Sequence, residues 1–366
     1  MIAERIVLAG GGSAGHVNPL LATAAELRRR GYEITVLGTE EGLEAELVPA
    51  QGFELVTIPK VPFPRRPSRD HLTLLRRFRA ATDKARDSLE GARALVGFGG
   101  YVSTPAYRAA SQLRIPYVIH EQNVRPGWAN RLGSRGAEAV ALTFPATKLR
   151  CSRGLSSVTG LPLRDSISGL DRADREARTA ARESFGLDPN LRTLLVTGGS
   201  LGAQHLNEAL TAAVDQLPPD AQVLHLTGTG KDQPVVDALA GAPNAERWRV
   251  VDYVPDMERA LLAADLVVCR SGAGTVAELT SLGLPAIYVP LPIGNGEQRL
   301  NAEDVVEAGG AYLVPDADFN TDTVLSLVYP TLLDPAKLKT MSEAALRSSV
   351  GDGTAALADL VERVSK

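Results

Sequence analysis

Sulfur is scarce in this chain. Its two cysteines, Cys151 and Cys269, stand far apart with no metal-ligand spacing around them, which argues against a disulfide framework and fits a reducing cytosol. Long apolar runs are missing too: no stretch nears the roughly 20 residues that cross a bilayer. The apolar run Ile6–Ala9 ahead of the first glycines is too short for a signal-peptide core. Any membrane contact is therefore expected to be peripheral. Charge of one sign is not in excess: 39 Lys and Arg face 43 Asp and Glu, net −4, which gives no reason to expect nucleic acid as a partner. What remains is an ordinary globular balance, 44% apolar and 22% charged. The 366 residues suit two domains better than one core.

Short β-rich runs alternate with helical patterns almost throughout. Ile6–Ala9, Ile34–Leu37, Leu55–Ile58, Leu95-Val96 and Tyr117–Ile119 read as buried parallel strands, with helices between them. The pattern then restarts. Leu194–Thr197 runs into Gly198-Gly199-Ser200-Leu201-Gly202, as Ile6–Ala9 runs into Gly10-Gly11-Gly12-Ser13-Ala14-Gly15. The same spacing separates Ser13 from Ser200 and Gly15 from Gly202. Two matching strand–loop–helix openings predict an α/β fold of two Rossmann-like domains with parallel sheets facing across a cleft.

In open parallel sheets, ligands bind beyond the carboxyl ends of the strands, and the polar, glycine-rich segments fall at those ends. Gly10–Gly15 matches the dinucleotide fingerprint, where glycines admit backbone N–H groups to a pyrophosphate. The second strand, however, runs into Gly38-Thr39 with Glu40 late, so a nicotinamide cofactor is poorly supported. His16 opens the following helix and is the candidate general base; a capping or solvent-facing histidine is the plainer alternative. Arg270–Thr275 is a second phosphate candidate. Glu278 one turn on suits vicinal ribose hydroxyls, or simply the helix dipole. Glu297, Gln298 and Asn301 open a third helix, with groups that suit sugar hydroxyls.

The segments GGGSAGHVNP, GFGGYVSTPAY, HEQN, GLPLR, TGGSLGAQHLN, CRSGAGTVAEL and PLPIGNGEQRLNA resemble, in order, the motifs of one family. These are the undecaprenyldiphospho-muramoylpentapeptide β-N-acetylglucosaminyltransferases, the MurG type, of GT-B architecture. The resemblance runs from about residue 6 to about 310. It implies transfer of N-acetylglucosamine from UDP-GlcNAc to the muramoyl 4-hydroxyl of lipid I, giving lipid II with inversion. It also implies a part in peptidoglycan synthesis, cell shape and division. By resemblance, Ser13, Ala14 and Gly15 lie near donor and acceptor groups, and Asn123 binds the donor. Arg164 and Ser200 lie near the UDP diphosphate, and a backbone group of Val254 contacts uracil. Ala273, Gly274, Thr275, Val276, Ala277 and Glu278 form the diphosphate helix with its ribose-binding acid, and Gln298 reads GlcNAc hydroxyls. Gly274 stands where some relatives have leucine, Ala14 replaces a common glycine, and the loop Ile293–Glu297 departs from a more basic version.

Residues 1–163 are then expected to form the acceptor and membrane-side domain, and 164–344 the UDP-GlcNAc domain. A C-terminal helix at 345–366 should pack back on the first. His16 is nominated as base, with Glu121 in reserve. No cofactor or metal is implied; Asp316-Ala317-Asp318 reads as a solvated turn. Arg65–Arg79 is a basic amphipathic segment, with Leu72, Leu75 and Phe78 between arginines that include Arg76 and Arg79. It is the candidate docking surface for an anionic membrane, on the inner face of the plasma membrane, although a helix packed on the sheet shows the same pattern. The alternatives are a GT-B transferase with a soluble acceptor, a UDP-GlcNAc epimerase, and a nicotinamide-dependent dehydrogenase.

Overall fold

The computed structural model describes residues 4–61, 70–199, 203–292 and 295–366, with side chains described at the same residues except 70–73. The chain divides into two compact units: Met1–Asp165 with Val350–Lys366, and Ser166–Ser349.

Unit one holds a seven-stranded sheet, every strand parallel to its neighbours. The strands are β1 (Arg5–Ala9), β2 (Glu33–Gly38), β3 (Glu54–Thr57), β4 (Ala94–Gly97), β5 (Tyr117–Glu121), β6 (Ala139–Leu142) and β7 (Leu155–Val158), in the order β3-β2-β1-β4-β5-β6-β7. The helices are α1 (Ala14–Arg29), α2 (Glu44–Ala50), α3 (Asp70–Leu89), α4 (Gly100–Leu113) and α5 (Trp128–Gly133). β1 shows why the sheet is covered on both faces. Ile6 and Leu8 pack with Leu20 and Leu27 of α1. Val7 and Ala9 join Ala106 and Ala109 of α4. Period-two alternation thus delivers an apolar side chain to each layer.

The C-terminal region is two helices rather than one. Residues 345–348 finish the helix Pro335–Ser348 in unit two, and Thr354–Val364 is a separate helix in unit one. Leu357, Ala358 and Val361 of the latter enter the core beside α1. Arg30, at the end of α1, bonds Glu26 and reaches across to Asp359 (2.7 Å) and Glu362 (3.0 Å).

Unit two holds a six-stranded parallel sheet. Its strands are β8 (Arg192–Thr197), β9 (Ala221–Leu226), β10 (Trp248–Val251), β11 (Leu266–Cys269), β12 (Ala286–Tyr288) and β13 (Ala311–Leu313), in the order β10-β9-β8-β11-β12-β13. Its helices include α6 (Asp165–Ser168), α7 (Arg175–Ser184), α8 (Gln204–Thr211), α9 (Gln233–Leu239), α10 (Met257–Ala263), α11 (Ala273–Ser281) and α12 (Glu297–Glu307). Both sheets reverse strand order beside their first strand, at β1/β4 and at β8/β11. Chains leave in opposite directions there, which opens a crevice at the carboxyl ends.

Candidate active site

In unit one the β1/β4 crevice is built from two loops in backbone contact. Gly12, Gly99 and Gly100 adopt φ of 88°, 89° and 78°, a region that side chains disfavour. A Cβ on Gly100 would lie 2.6 Å from the Gly11 carbonyl oxygen. The first loop rests on a fully buried carboxylate. Glu44 accepts hydrogen bonds from the Gly12 N–H (2.9 Å), the Thr39 N–H (2.9 Å) and the Thr39 hydroxyl (2.8 Å). Any Cβ at Gly11, Gly38 or Gly42 would collide with it. Burial raises the Glu44 pKa, but these donors outweigh burial and hold it below the usual carboxylate value.

His16 sits on the first turn of α1, with Nδ1 3.1 Å from Ser13 Oγ. Desolvation lowers its pKa, opposed by a hydrogen bond to the Gly11 backbone and by the Glu44 charge. The net shift is downward, so the imidazole is neutral at neutral pH. In the tautomer whose Nδ1–H donates to Ser13 Oγ, Nε2 carries the lone pair.

β5 ends in the His120–Asn123 motif, whose members do different work. His120 is fully buried, its Nε2 3.0 Å from the Gly160 carbonyl and its Nδ1 3.2 Å from Gln122 Nε2; burial brings its pKa down to about 4. Glu121 is 1% exposed and accepts from Asn123 N–H, Gly127 N–H and Asn130 Nδ2 at 3.0, 3.0 and 2.9 Å. Burial raises its pKa while these donors oppose the rise. Asn130 in turn donates to the His120 carbonyl and accepts from the Tyr107 hydroxyl. Glu121 therefore folds the segment 121–130, and its oxygens are taken by that segment rather than held free as in a reserve base.

His16, Glu121, Asn123, Gly99, Trp128 and Phe78 line one cavity of about 580 Å³. Ser13 reaches it through His16. Ala14 is half-buried, and Gly15 is exposed on α1.

In unit two, Gly272 caps α11. The first N–H groups of that helix have no carbonyl within it to bond. A Cβ at Gly272 or Gly274 would meet nothing within 4 Å among the described residues, so the space over this terminus is open. Ala273–Glu278 follow on α11, with Thr275, Ala277 and Glu278 half-buried and Val276 buried. Val254 is half-buried in the loop after β10. Gln298, on the first turn of α12, accepts from the Leu291 N–H (2.9 Å), and Asn301 Nδ2 donates to the Ser271 carbonyl (3.4 Å). Arg164 is half-buried, falls in unit one, and has a buried Nε without a hydrogen-bond partner. Ser200 lies outside the described residues. Among the described residues no group of three or more His, Cys, Asp or Glu is placed to hold a metal.

The N-terminal domain of glycosyltransferase family 28 matches residues 6–142, and the C-terminal domain of that family matches residues 193–362. The chain belongs to glycosyltransferase family 28. A relative from Clavibacter michiganensis subsp. michiganensis is 51% identical over 360 residues, 97% of this chain and 95% of its own. Its name is UDP-N-acetylglucosamine–N-acetylmuramyl-(pentapeptide) pyrophosphoryl-undecaprenol N-acetylglucosamine transferase. One from Streptomyces avermitilis with the same name is 51% identical over 345 residues, 93% of each chain. The crystal structure of Acinetobacter baumannii MurG superposes with a TM-score of 0.79 at 29% identity, over 98% of this chain and 99% of that one. The two parallel-sheet α/β domains are thus the GT-B fold of that enzyme.

Three further details of this family 28 transferase differ from what its sequence led us to expect. Phe78 is not on the outer face of α3. Leu74, Phe78, Ala81, Ala85 and Leu89 pack with the core on one side of the helix, the 3.6-residue period carrying them inward. Leu75 is turned out, 81% exposed, with Arg76 and Arg79 exposed nearby; the Leu72 side chain lies outside the described residues. Asp316 is not a solvated turn residue, since it forms an ion pair with the mostly buried Arg270. Finally, Glu44, Tyr107 and Asn130 support the site without having drawn notice in the sequence. The signal for Glu44 is the flanking pair Gly38 and Gly42, which leave room for its carboxylate.

Proposed function

We propose that this transferase moves N-acetylglucosamine from UDP-GlcNAc to the muramoyl 4-hydroxyl of undecaprenyl-diphospho-muramoyl-pentapeptide, lipid I, giving lipid II and UDP with inversion at the anomeric carbon. The observation that carries the reading is full-length similarity, 51% identity over 97% of the chain, to a relative named for this transfer.

The cavity in unit one supports a mechanism. The acceptor hydroxyl gives its proton to Nε2 of neutral His16 as its oxygen bonds to the anomeric carbon. The bond from that carbon to the diphosphate oxygen breaks, and the electron pair leaves on UDP. The transition state has oxocarbenium character by analogy with glycoside hydrolysis. The open N-terminus of α11 and the Arg164 guanidinium suit the charge that grows on the leaving diphosphate. Glu278 takes the ribose hydroxyls, a Val254 backbone group the uracil, Gln298 the GlcNAc hydroxyls and Asn123 the donor sugar. Ser13, Ala14, Gly15 and Ser200 contribute at the two glycine loops.

Residues 1–163 serve the acceptor and 164–344 the donor. Exposed Leu75 with Arg76 and Arg79 docks the enzyme at the anionic inner face of the plasma membrane. Among the described residues no helix is long and apolar enough to cross a membrane. The product is a peptidoglycan precursor, so the reaction serves cell shape and division. Incubating pure protein with UDP-GlcNAc and a lipid I analogue, then weighing the products, tests the proposal. Gain of one GlcNAc on the analogue is expected. Formation of an epimerised sugar nucleotide without transfer, or transfer to soluble aglycones alone, overturns it.

A further inference from the structure

At the amino end of the unit two strands, three arginines converge on one carboxylate and a fourth lies beside them. Asp265, 6% exposed, immediately precedes β11. Its Oδ1 accepts from Arg178 (2.7 Å) and Arg192 (3.4 Å), and its Oδ2 from Arg182 (2.8 Å) and the Thr193 N–H (2.8 Å). That carboxylate is saturated. Arg172 is left with carbonyls only, those of Ala264 (2.6 Å) and Gly283 (3.5 Å), and its buried Nε has no hydrogen-bond partner. Burial, followed by the neighbouring charge of Arg178, depresses its pKa to about 10.

Arg172, Arg178 and Asp265 line a cavity of about 530 Å³, together with Arg192, Lys339 and Asp171. Cationic side chains there outnumber anionic ones four to two. An uncompensated guanidinium at a protein wall draws an anion, and guanidinium pairs best with phosphate or carboxylate oxygens in bidentate fashion. Leu170, Pro285 and Leu346 supply apolar wall beside the charges. The cavity exceeds what one inorganic ion fills, and it leaves room for an organic portion.

We propose that this cavity binds a small phosphate-bearing molecule through Arg172, Arg178 and Lys339. It is separate from the donor site: Asp265 lies at the amino end of β11, whereas the α11 N-terminus follows its carboxyl end. Ser281 and Leu282, at the far end of α11, line the cavity. A ligand here thus touches the same helix whose opposite end faces the leaving diphosphate.

The test is calorimetric titration of the full chain with inorganic phosphate and, separately, with glycerol 3-phosphate, at matched ionic strength and with UDP saturating the donor site. One saturable site per chain is expected, tighter for the organic phosphate. Arg172→Gln should weaken it about tenfold, the loss of one charge-assisted pair. If Arg172 only caps the carbonyls that follow α10 and α11, phosphate heats will match those of chloride, and the proposal fails. Competition by UDP for all the binding would fail it too, by assigning the heat to the donor site. Should Arg172→Gln not fold, exposed Lys339→Gln carries the test, with threefold or greater weakening expected and unchanged binding overturning the site.

Discussion

At the scale of single residues, two side chains carry the site in unit one by opposite means. His16 is useful because burial keeps it neutral. The sign follows: a base acts in its unprotonated form, which gains population as pH rises through the pKa. The kcat profile should therefore climb on the acid side with an apparent pKa below the usual value of about 6.5 and be level at neutrality. His16→Ala should cut kcat by about 10²–10⁴ and leave donor KM close to wild type. A break well above neutrality, or wild-type turnover in the variant, would reassign the base. Glu44 works from beneath. In Glu44→Gln the amide must place an NH₂ where a carboxylate oxygen accepted, so one of three donors is left facing a donor. The loss is on the order of 2 kcal/mol. A lowered Tm together with a fall in kcat, and UDP affinity retained, is the expected outcome. A folded variant with normal kcat would show that the glycine loop holds its shape unaided.

At the scale of elements, the strands that pass through both cores and the glycine turns after them were readable because composition and position agree. β1, β4, β5, β8 and β11 are apolar runs of the right length next to glycine or a polar motif. β7, with the exposed pattern of Leu155–Val158, and β13, only Ala311–Leu313, carry no comparable run to mark them. The phase of α3 is hidden in the sequence for a different reason. Leu72, Leu75 and Phe78 do recur every three residues, but the buried stripe follows Leu74, Phe78, Ala81 and Ala85, and arginines occupy positions that suit either choice. Glu44 was illegible because an acid in the first turn of a helix ordinarily faces water; only the tertiary approach of the glycine loop buries it. Two elements yield tests. On α3, Leu75→Ser removes an exposed apolar anchor and should weaken binding to sedimented anionic vesicles by about tenfold or more, roughly the 1.5–3 kcal/mol of one inserted side chain, while sparing turnover of a short-chain acceptor. Equal sedimentation would discard Leu75 as an anchor. On α11, Glu278→Ala should weaken UDP about tenfold, the worth of hydrogen bonds to a charged group; unchanged affinity would make Glu278 a plain helix acid.

At the scale of the whole molecule, the chain closes unit one with its own tail. Asp352 accepts from the Leu163 N–H (3.0 Å) and the Thr354 N–H (2.9 Å), which fixes where the returning chain meets residues 160–163. A Cβ on Gly353 would lie 2.4 Å from the Gly160 carbonyl oxygen, so glycine is required for that approach. The helix Thr354–Val364 then buries Leu357, Leu360 and Val361 at 0%, 5% and 0% exposure against α1 and the sheet. Each such side chain contributes roughly 1.5–3 kcal/mol. Three of them approach the about 5–15 kcal/mol by which a domain exceeds its unfolded state. Removing residues 350–366 should therefore unfold unit one selectively, because the core of unit two draws no residue from this helix. Hydrogen exchange in the truncated chain reads the difference directly: amides of β1, β4 and β5 should lose protection, while those of β8 and β11 keep it. Protection kept in both sheets would make the tail dispensable, and protection lost in both would mean that the two units do not fold as separate cores.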